Sequence, residues 1–202
     1  ESQEDLSSAE QRKIMTNIYE DSNWLLNMVE NLLSVTRIQG DSLSINTTEE
    51  PVEEVVAEAL EKLKKRYPDA AIQVKIPEEF LMIPMDAVLI EQVTINLLEN
   101  AIVHSESILP IEFIVEDHPD DVSFIIRDYG KGLSEEKLQT LFEIGSYSNS
   151  QSSDSRKGMG IGLSICKTII TAHHGTLSGK NHADGAEFCF TLPKSDTSNA
   201  EK

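Results

Sequence analysis

Cations are scarce in this chain: 17 lysines and arginines stand against 35 aspartates and glutamates, for a formal net charge of -18 at pH 7. A surface of that sign repels phosphate backbones and anionic headgroups, which excludes nucleic acid and lipid as main partners. A small phosphate held locally by backbone amides stays compatible with it. Cysteine is nearly missing too. Cys166 and Cys189 lie in apolar runs without metal-ligand spacing and read as reduced core thiols of an intracellular protein. There is no apolar run of about 18 residues and no leader peptide, so no membrane span is expected and the chain reads as soluble, though cut from something larger. With 202 residues it has room for one domain and an appendage.

Two patterns organise what is present. Ile14, Ile18, Leu25, Met28, Leu32 and Val35 follow the 3-4 spacing of a bundle seam, interrupted only by Asp21. One long helix over roughly 9–38 is expected, and a lone apolar stripe calls for a partner helix that the chain does not supply. Gly40 and Asp41 mark its stop and a linker. Beyond the linker, strand and helix signals alternate. Residues 42–50 read as a strand, Pro51 as the first residue of a helix, and 71–77 and 80–84 as short strands. A helix from Asp86 to about His104 follows, capped by Asp86. Ile111, Phe113 and Val115 then mirror Val122, Phe124 and Ile126 across a polar turn, which is a hairpin. A helix over 134–142, a Ser-rich run, a helix opened by glycines and two closing strands over 175–181 and 186–193 complete the unit.

The expected architecture is an α/β (α+β) two-layer sandwich, a mixed and mostly antiparallel sheet packed on helices, preceded by one long helix of a bundle. The expected boundaries are 1–40 for the bundle helix, 41–194 for the sandwich and 195–202 for a frayed tail.

Chemistry gathers in three places. Asn96 and Asn100 are four residues apart and share a helix face, with Gln92 and Glu99 nearby; stacked amide oxygens there suit a hydrated magnesium ion, or else line a solvated face. Asp128 ends a strand at "RDYGKG", where its carboxylate could accept from an exocyclic amine while Gly130 and Gly132 allow a tight turn and a close ring. Gly158, Gly160 and Gly162 stand at a helix N-terminus, an anion site by geometry and dipole. Neither P-loop spacing nor a dinucleotide fingerprint is met, since position 163 is Leu where the latter needs Gly or Ala.

The succession "NLLENA", "DYGKG", "GMGIGLSICKTIITAHHG", "GAEF" resembles the N, G1, G2 and G3 boxes of sensor histidine kinases, a branch of the ATPase superfamily shared with gyrase and the large heat-shock chaperone. Phe142 in "LFEIGSYSN" resembles the F box, and "NIYEDSNWLLNMVENLLSVTRI" resembles the second helix of the family's dimerisation and phosphoacceptor hairpin. "MVENLLSVTRI" followed by "EEPVEEVVAEAL" is further similar to Kdp-type potassium and turgor sensor kinases.

The resemblance implies the histidine-kinase/gyrase type of ATP-binding fold, with ATP and magnesium as ligands. It places Asn96 and Asn100 on magnesium and phosphate, Asn100 first as metal ligand and Asn96 second. It places Asp128 on the adenine amino group and Gly130 and Gly132 beneath the base. Gly158, Gly160, Gly162 and Leu163 fall at the phosphate end of a nucleotide lid spanning 146–157, closing on nucleotide. Arg156 and Lys157 are its phosphate-meeting cations, against the alternative of a solvated basic pair. Val103 stands where the family often has Lys, and His104 where an aromatic is usual, so one phosphate contact must come from elsewhere.

None of His104, His118, His173, His174 or His182 has the acidic residue and proline of a phosphoacceptor box, and His173 and His174 read as surface or packing residues. The chain therefore reads as beginning inside the hairpin, holding the catalytic half of a kinase. Implied are transfer of the ATP γ-phosphoryl to a histidine, relay to a response-regulator aspartate, homodimerisation through the hairpin, and a cytoplasmic place in a membrane-associated sensor. Two alternatives remain: a catalytically silent nucleotide-binding module, and an ATPase using water with Glu91 as general base.

Overall fold

The computed structural model describes residues 7, 8, 10–16, 18, 22, 29, 45, 47–142, 161–182 and 184–195. At the N-terminal end the described residues from Ser8 onward are helical. Ser7 starts that helix with a capping box: its hydroxyl accepts from the Glu10 amide at 3.3 Å, and the Glu10 carboxylate takes the Ser7 amide at 2.8 Å and hydroxyl at 2.7 Å. Those bonds hold the Glu10 carboxyl below its usual range. Ile14 and Ile18 are exposed by 42% and 55%, as a stripe without a partner would be. Leu25, Met28, Leu32 and Val35, and the stop at Gly40 and Asp41, lie outside the described residues.

The second unit runs β1 (Thr48–Pro51), α1 (Val52–Arg66), β2 (Ile72–Lys75), β3 (Met82–Met85), α2 (Ala87–Ser105), β4 (Ile111–Asp117), β5 (Asp121–Arg127), α3 (Glu135–Gln139), α4 (Ile161–Ala172), β6 (Thr176–His182) and β7 (Gly185–Pro193). Several boundaries differ from the sequence expectation: β2 covers 72–75 rather than 71–77 and β3 covers 82–85 rather than 80–84. The first strand starts only at Thr48. Pro51 closes that strand with ψ 118 and caps α1 from outside, because its ring fixes φ but leaves ψ extended. The helix expected over 134–142 ends at Gln139, and Leu141 and Phe142 sit in a turn.

Five strands form one sheet in the order β2-β4-β5-β7-β6, antiparallel except for the parallel pair β2–β4; β1 and β3 form a separate antiparallel pair. Alternation explains the layers. Phe113, Val115, Val122, Phe124, Ile126, Phe188, Phe190 and Leu192 are all buried, with Phe124 stacked on its cross-strand partner Phe190 at 4.5 Å. Helices α1, α2 and α4 supply the other wall through Val56, Leu63, Ile90, Leu97, Cys166 and Ile169. Burying each such aliphatic side chain is worth roughly 1.5 to 3 kcal/mol.

The opposite sheet face carries a charged row. Glu112 pairs across to Arg127, Arg127 to Glu187 and Glu187 to Lys180, with salt bridges Lys75–Glu112 at 2.7 Å, Arg127–Glu187 at 2.5 Å and Lys180–Glu187 at 3.0 Å. Burial pushes the Glu187 carboxyl up, but bonds from Arg127 and Lys180 outweigh it and hold it below the usual range.

Candidate functional site

Helix α2 is the backbone of the site. Asp86 caps it, Oδ1 accepting from the Leu89 amide at 3.1 Å, which fixes where the helix begins and so where its amides point. Asn96 is not on a solvated face; it is 7% exposed and turned toward α4. Its Oδ1 accepts from Gln92 Nε2 at 3.1 Å and its Nδ2 donates to Cys166 Sγ at 3.7 Å. A Cβ on Gly162 would stand 4.0 Å from Asn96 Cγ, so the first turn of α4 lies beside this amide. Burial pushes the Cys166 thiol up to about 12, with the Asn96 bond pulling weakly the other way, and the thiol stays neutral. Asn100, one turn along, is half-buried and its side chain makes no hydrogen bond among the described residues.

Glu91 lies five residues before Asn96, about 140° round the helix. Its carboxylate is buried and paired with Lys62 of α1; burial raises its pKa, with Lys62 opposing and Glu58 adding to the rise. That pairing holds it on the α1 side, away from the amides, and argues against a water-activating role. Glu99 of α2 pairs with Arg66 of α1.

The second half of the site is the turn after β5. Asp128 is 6% exposed. Its amide donates to Ala186 O at 3.0 Å, and its Oδ1 accepts from Gly130 N at 2.9 Å and from Ala186 N at 3.4 Å. Among the described residues Oδ2 accepts from nothing, so a buried carboxylate oxygen awaits a donor. Gly130 lets the turn seat against the end of α2, since a Cβ there would meet Ser105 O at 2.2 Å. Gly132 has φ +66, the left-handed region, and a Cβ would meet Asn181 Oδ1 at 2.9 Å.

Leu163 is buried in the core and Phe142 is half-buried against it. Arg156, Lys157, Gly158 and Gly160, with the expected lid over 146–157, lie outside the described residues.

Sequence reading passed over what Gln92 and Cys166 do for Asn96, and what Asn181 and His182 do for the turn. His173 is a packing residue with a defined task. Its Nδ1–H donates to Ile169 O at 2.8 Å, because its Nε2 accepts from the Asp86 amide at 3.0 Å, tying the end of α4 to the start of α2. Burial lowers its pKa, so it stays neutral there.

For a magnesium ion the donors fit in type: amide oxygens on one face, with Asn100 unengaged among the described residues and Asn96 already oriented by Gln92.

Residues 85–196 match the family described as histidine kinase-, DNA gyrase B-, and HSP90-like ATPase. Over 184 residues the chain is 42% identical to sensor protein KdpD of Clostridium acetobutylicum, covering 91% of this chain and 20% of that protein. It is 33% identical to KdpD of Escherichia coli, covering 83% of this chain and 18% of that one. The chain thus spans about a fifth of these relatives. Among solved structures, a catalytic domain of histidine kinase ThkA is 29% identical at a TM-score of 0.63, covering 75% of this chain and 100% of that one. Histidine kinase AdeS of Acinetobacter baumannii, at 21% identity, shares the fold with a TM-score of 0.69 over 95% of this chain and 87% of its own.

Proposed function

The chain belongs to the histidine kinase-, DNA gyrase B- and HSP90-like ATPase family, and on that premise we propose that it is the ATP-binding catalytic portion of a sensor histidine kinase. Its reaction moves the γ-phosphoryl of ATP to a histidine of a dimerisation helix, for relay to an aspartate of a response regulator. The likeness to KdpD supports potassium or turgor signalling and a cytoplasmic place in a membrane-associated homodimeric sensor. Among the described residues no helix is long and apolar enough to cross a membrane.

One observation carries the reading: the buried Asp128 Oδ2, without a donor among the described residues, at a turn whose glycines leave room for a ring. That oxygen accepts from the adenine amino group and would face a carbonyl oxygen in guanine. Asn100, with Asn96 behind it, holds magnesium, which when bound offsets charge on the phosphate oxygens. Arg156 and Lys157 meet the phosphates, and Gly158, Gly160 and Gly162 clear side chains from them. In the transfer the histidine nitrogen forms a bond to phosphorus while the bond to the β-phosphate oxygen breaks and ADP leaves with that electron pair. The protein's part is positioning and charge neutralisation.

Calorimetry with magnesium and either ATP or GTP tests the base contact. Asp128→Ala is expected to lose roughly 1.5 to 3 kcal/mol, about tenfold or more in ATP affinity. Equal affinity for both nucleotides in the unmutated chain refutes it. Radiolabelled ATP tests the transfer: no acid-labile label on the chain alone, whose five histidines lack the box, and label on a separately supplied hairpin that bears it. Steady ATP hydrolysis abolished by Glu91→Ala would instead favour a water-using ATPase.

A further inference from the structure

Beyond Asp128 itself, we propose that Asn181 and His182, at the end of β6, are positioning residues that set the base-reading turn and thereby the preference for adenine. The inference rests on the reading of Asp128 given above.

The turn from Asp128 to Leu133 leaves the sheet just past Arg127 opposite Glu187: the Asp128 amide still donates to Ala186 O at 3.0 Å, and beyond it no strand pairing holds the turn. Side chains from the β6–β7 hairpin take over. Asn181 Oδ1 accepts from Leu133 N at 2.7 Å and its Nδ2 donates to Leu133 O at 2.7 Å. One side-chain amide thus satisfies both backbone groups of a single residue, as a neighbouring strand would. His182 Nε2 lies 2.7 Å from Asp128 O. A carbonyl oxygen only accepts, so Nε2 carries the hydrogen and donates. The His182 ring also stands edge-on to Tyr129, centroids 5.5 Å apart and planes at 86°.

The first and last residues of the turn are therefore pinned by consecutive residues of β6. The pinning requires glycine between them. Asn181 Oδ1 sits 2.9 Å from where a Gly132 Cβ would be, so Gly132 and Asn181 are a matched pair. If the pins are removed, Asp128 keeps its bonds to Gly130 N and to Ala186, but its carbonyl and the far end of the turn are no longer fixed, which loosens the placement of Oδ2 on which a hydrogen bond that reads amine against carbonyl depends.

The test uses the full chain. Affinities for magnesium-ATP and magnesium-GTP, and the melting temperature, are measured for the unmutated protein and for Asn181→Ala, Asn181→Asp, His182→Phe and His182→Gln. Asn181→Ala, Asn181→Asp and His182→Phe are expected to cut the ATP-over-GTP ratio by about fivefold to tenfold through loss of ATP affinity alone, with GTP affinity within about twofold. Asn181→Asp retains the acceptor but sets a carboxylate against Leu133 O, so it is expected to do no better than Ala. His182→Gln retains an N–H donor and is expected to recover most of the ratio, which no general loosening of the fold would reproduce. An unchanged ratio in the variants overturns the inference alone. Equal loss of both nucleotides in step with melting temperature overturns it too, by making the role merely structural. No ATP preference in the unmutated chain overturns the reading of Asp128 along with it.

Discussion

Helix α2 touches α1 through acids and α4 through amides. Toward α1, Glu91 and Glu99 are taken by Lys62 and Arg66. Toward α4, Asn96 is held by Gln92 and Cys166, and Asn100 has no partner among the described residues. A buried carboxylate needs its cation permanently, because an unpaired charge in the interior costs several kcal/mol. A half-buried amide can gain or lose a ligand without any change in charge. The α1 side is thus committed to holding the helix, and the α4 side is available for a ligand that comes and goes.

Lys62→Ala strikes the committed side and should have the largest effect on stability. Lys62 is itself half exposed, so the loss should fall below that of a fully buried pair, at about 2 kcal/mol at pH 7 in urea unfolding. Nucleotide affinity should not move. The variant should also regain stability on acidification. Glu91 has a pKa raised in the fold, so the stability at stake is whole below the ordinary carboxylate range and lost as pH rises through the raised value. Nucleotide affinity falling in parallel with stability would abolish the distinction between the two sides.

Asn100→Ala is the counterpart. Magnesium-ATP affinity should fall roughly tenfold, about 1.4 kcal/mol, while the melting temperature stays within about two degrees. His173 provides a pH handle on the α4 side. Its pKa is lowered by burial, so its contribution is present above the ordinary histidine value and lost as pH falls through the lowered one. As pH falls below the ordinary histidine value the native chain should lose stability through this tie to Asp86, a slope absent in His173→Gln. The smallest effect is expected at Gly162→Ala. A methyl there meets Asn96 at an ordinary 4.0 Å, so stability should change by less than about 0.5 kcal/mol. A severalfold loss of ATP affinity in that variant would place the need for glycine on the nucleotide's side alone.

What sequence could read was the chemistry carried within a few residues. Asp86 as a cap, Asn96 and Asn100 on one face, the mirrored hairpin of β4 and β5, and the Asp128 turn depend on local spacing. The capping box of Ser7 and Glu10 was equally local, and it starts the first helix at Ser8, within a residue of the expected start at 9. Pro51 misled by one residue because proline fixes φ, which strand ends and helix starts share. Contacts made across the fold left no such trace. Asn181 meets Leu133 across 48 residues, His182 meets Asp128 across 54, and Glu91 meets Lys62 across 29. Each is a common polar residue whose partner is chosen by the sheet order and helix packing, neither of which spacing encodes.

The parallel pair β2–β4 carries a consequence in time. Every other pair in the five-stranded sheet is antiparallel, whereas Ile72 can meet Ile111 only after the chain has passed through β3 and the whole of α2. A contact that closes so long a loop is delayed relative to the hairpins, and β2 is a four-residue edge strand with three exposed positions. During refolding its amides should gain protection last, and in the native protein they should exchange with deuterium first, before the β4–β5 hairpin yields. The sheet therefore has a rigid antiparallel centre and an edge that opens by itself.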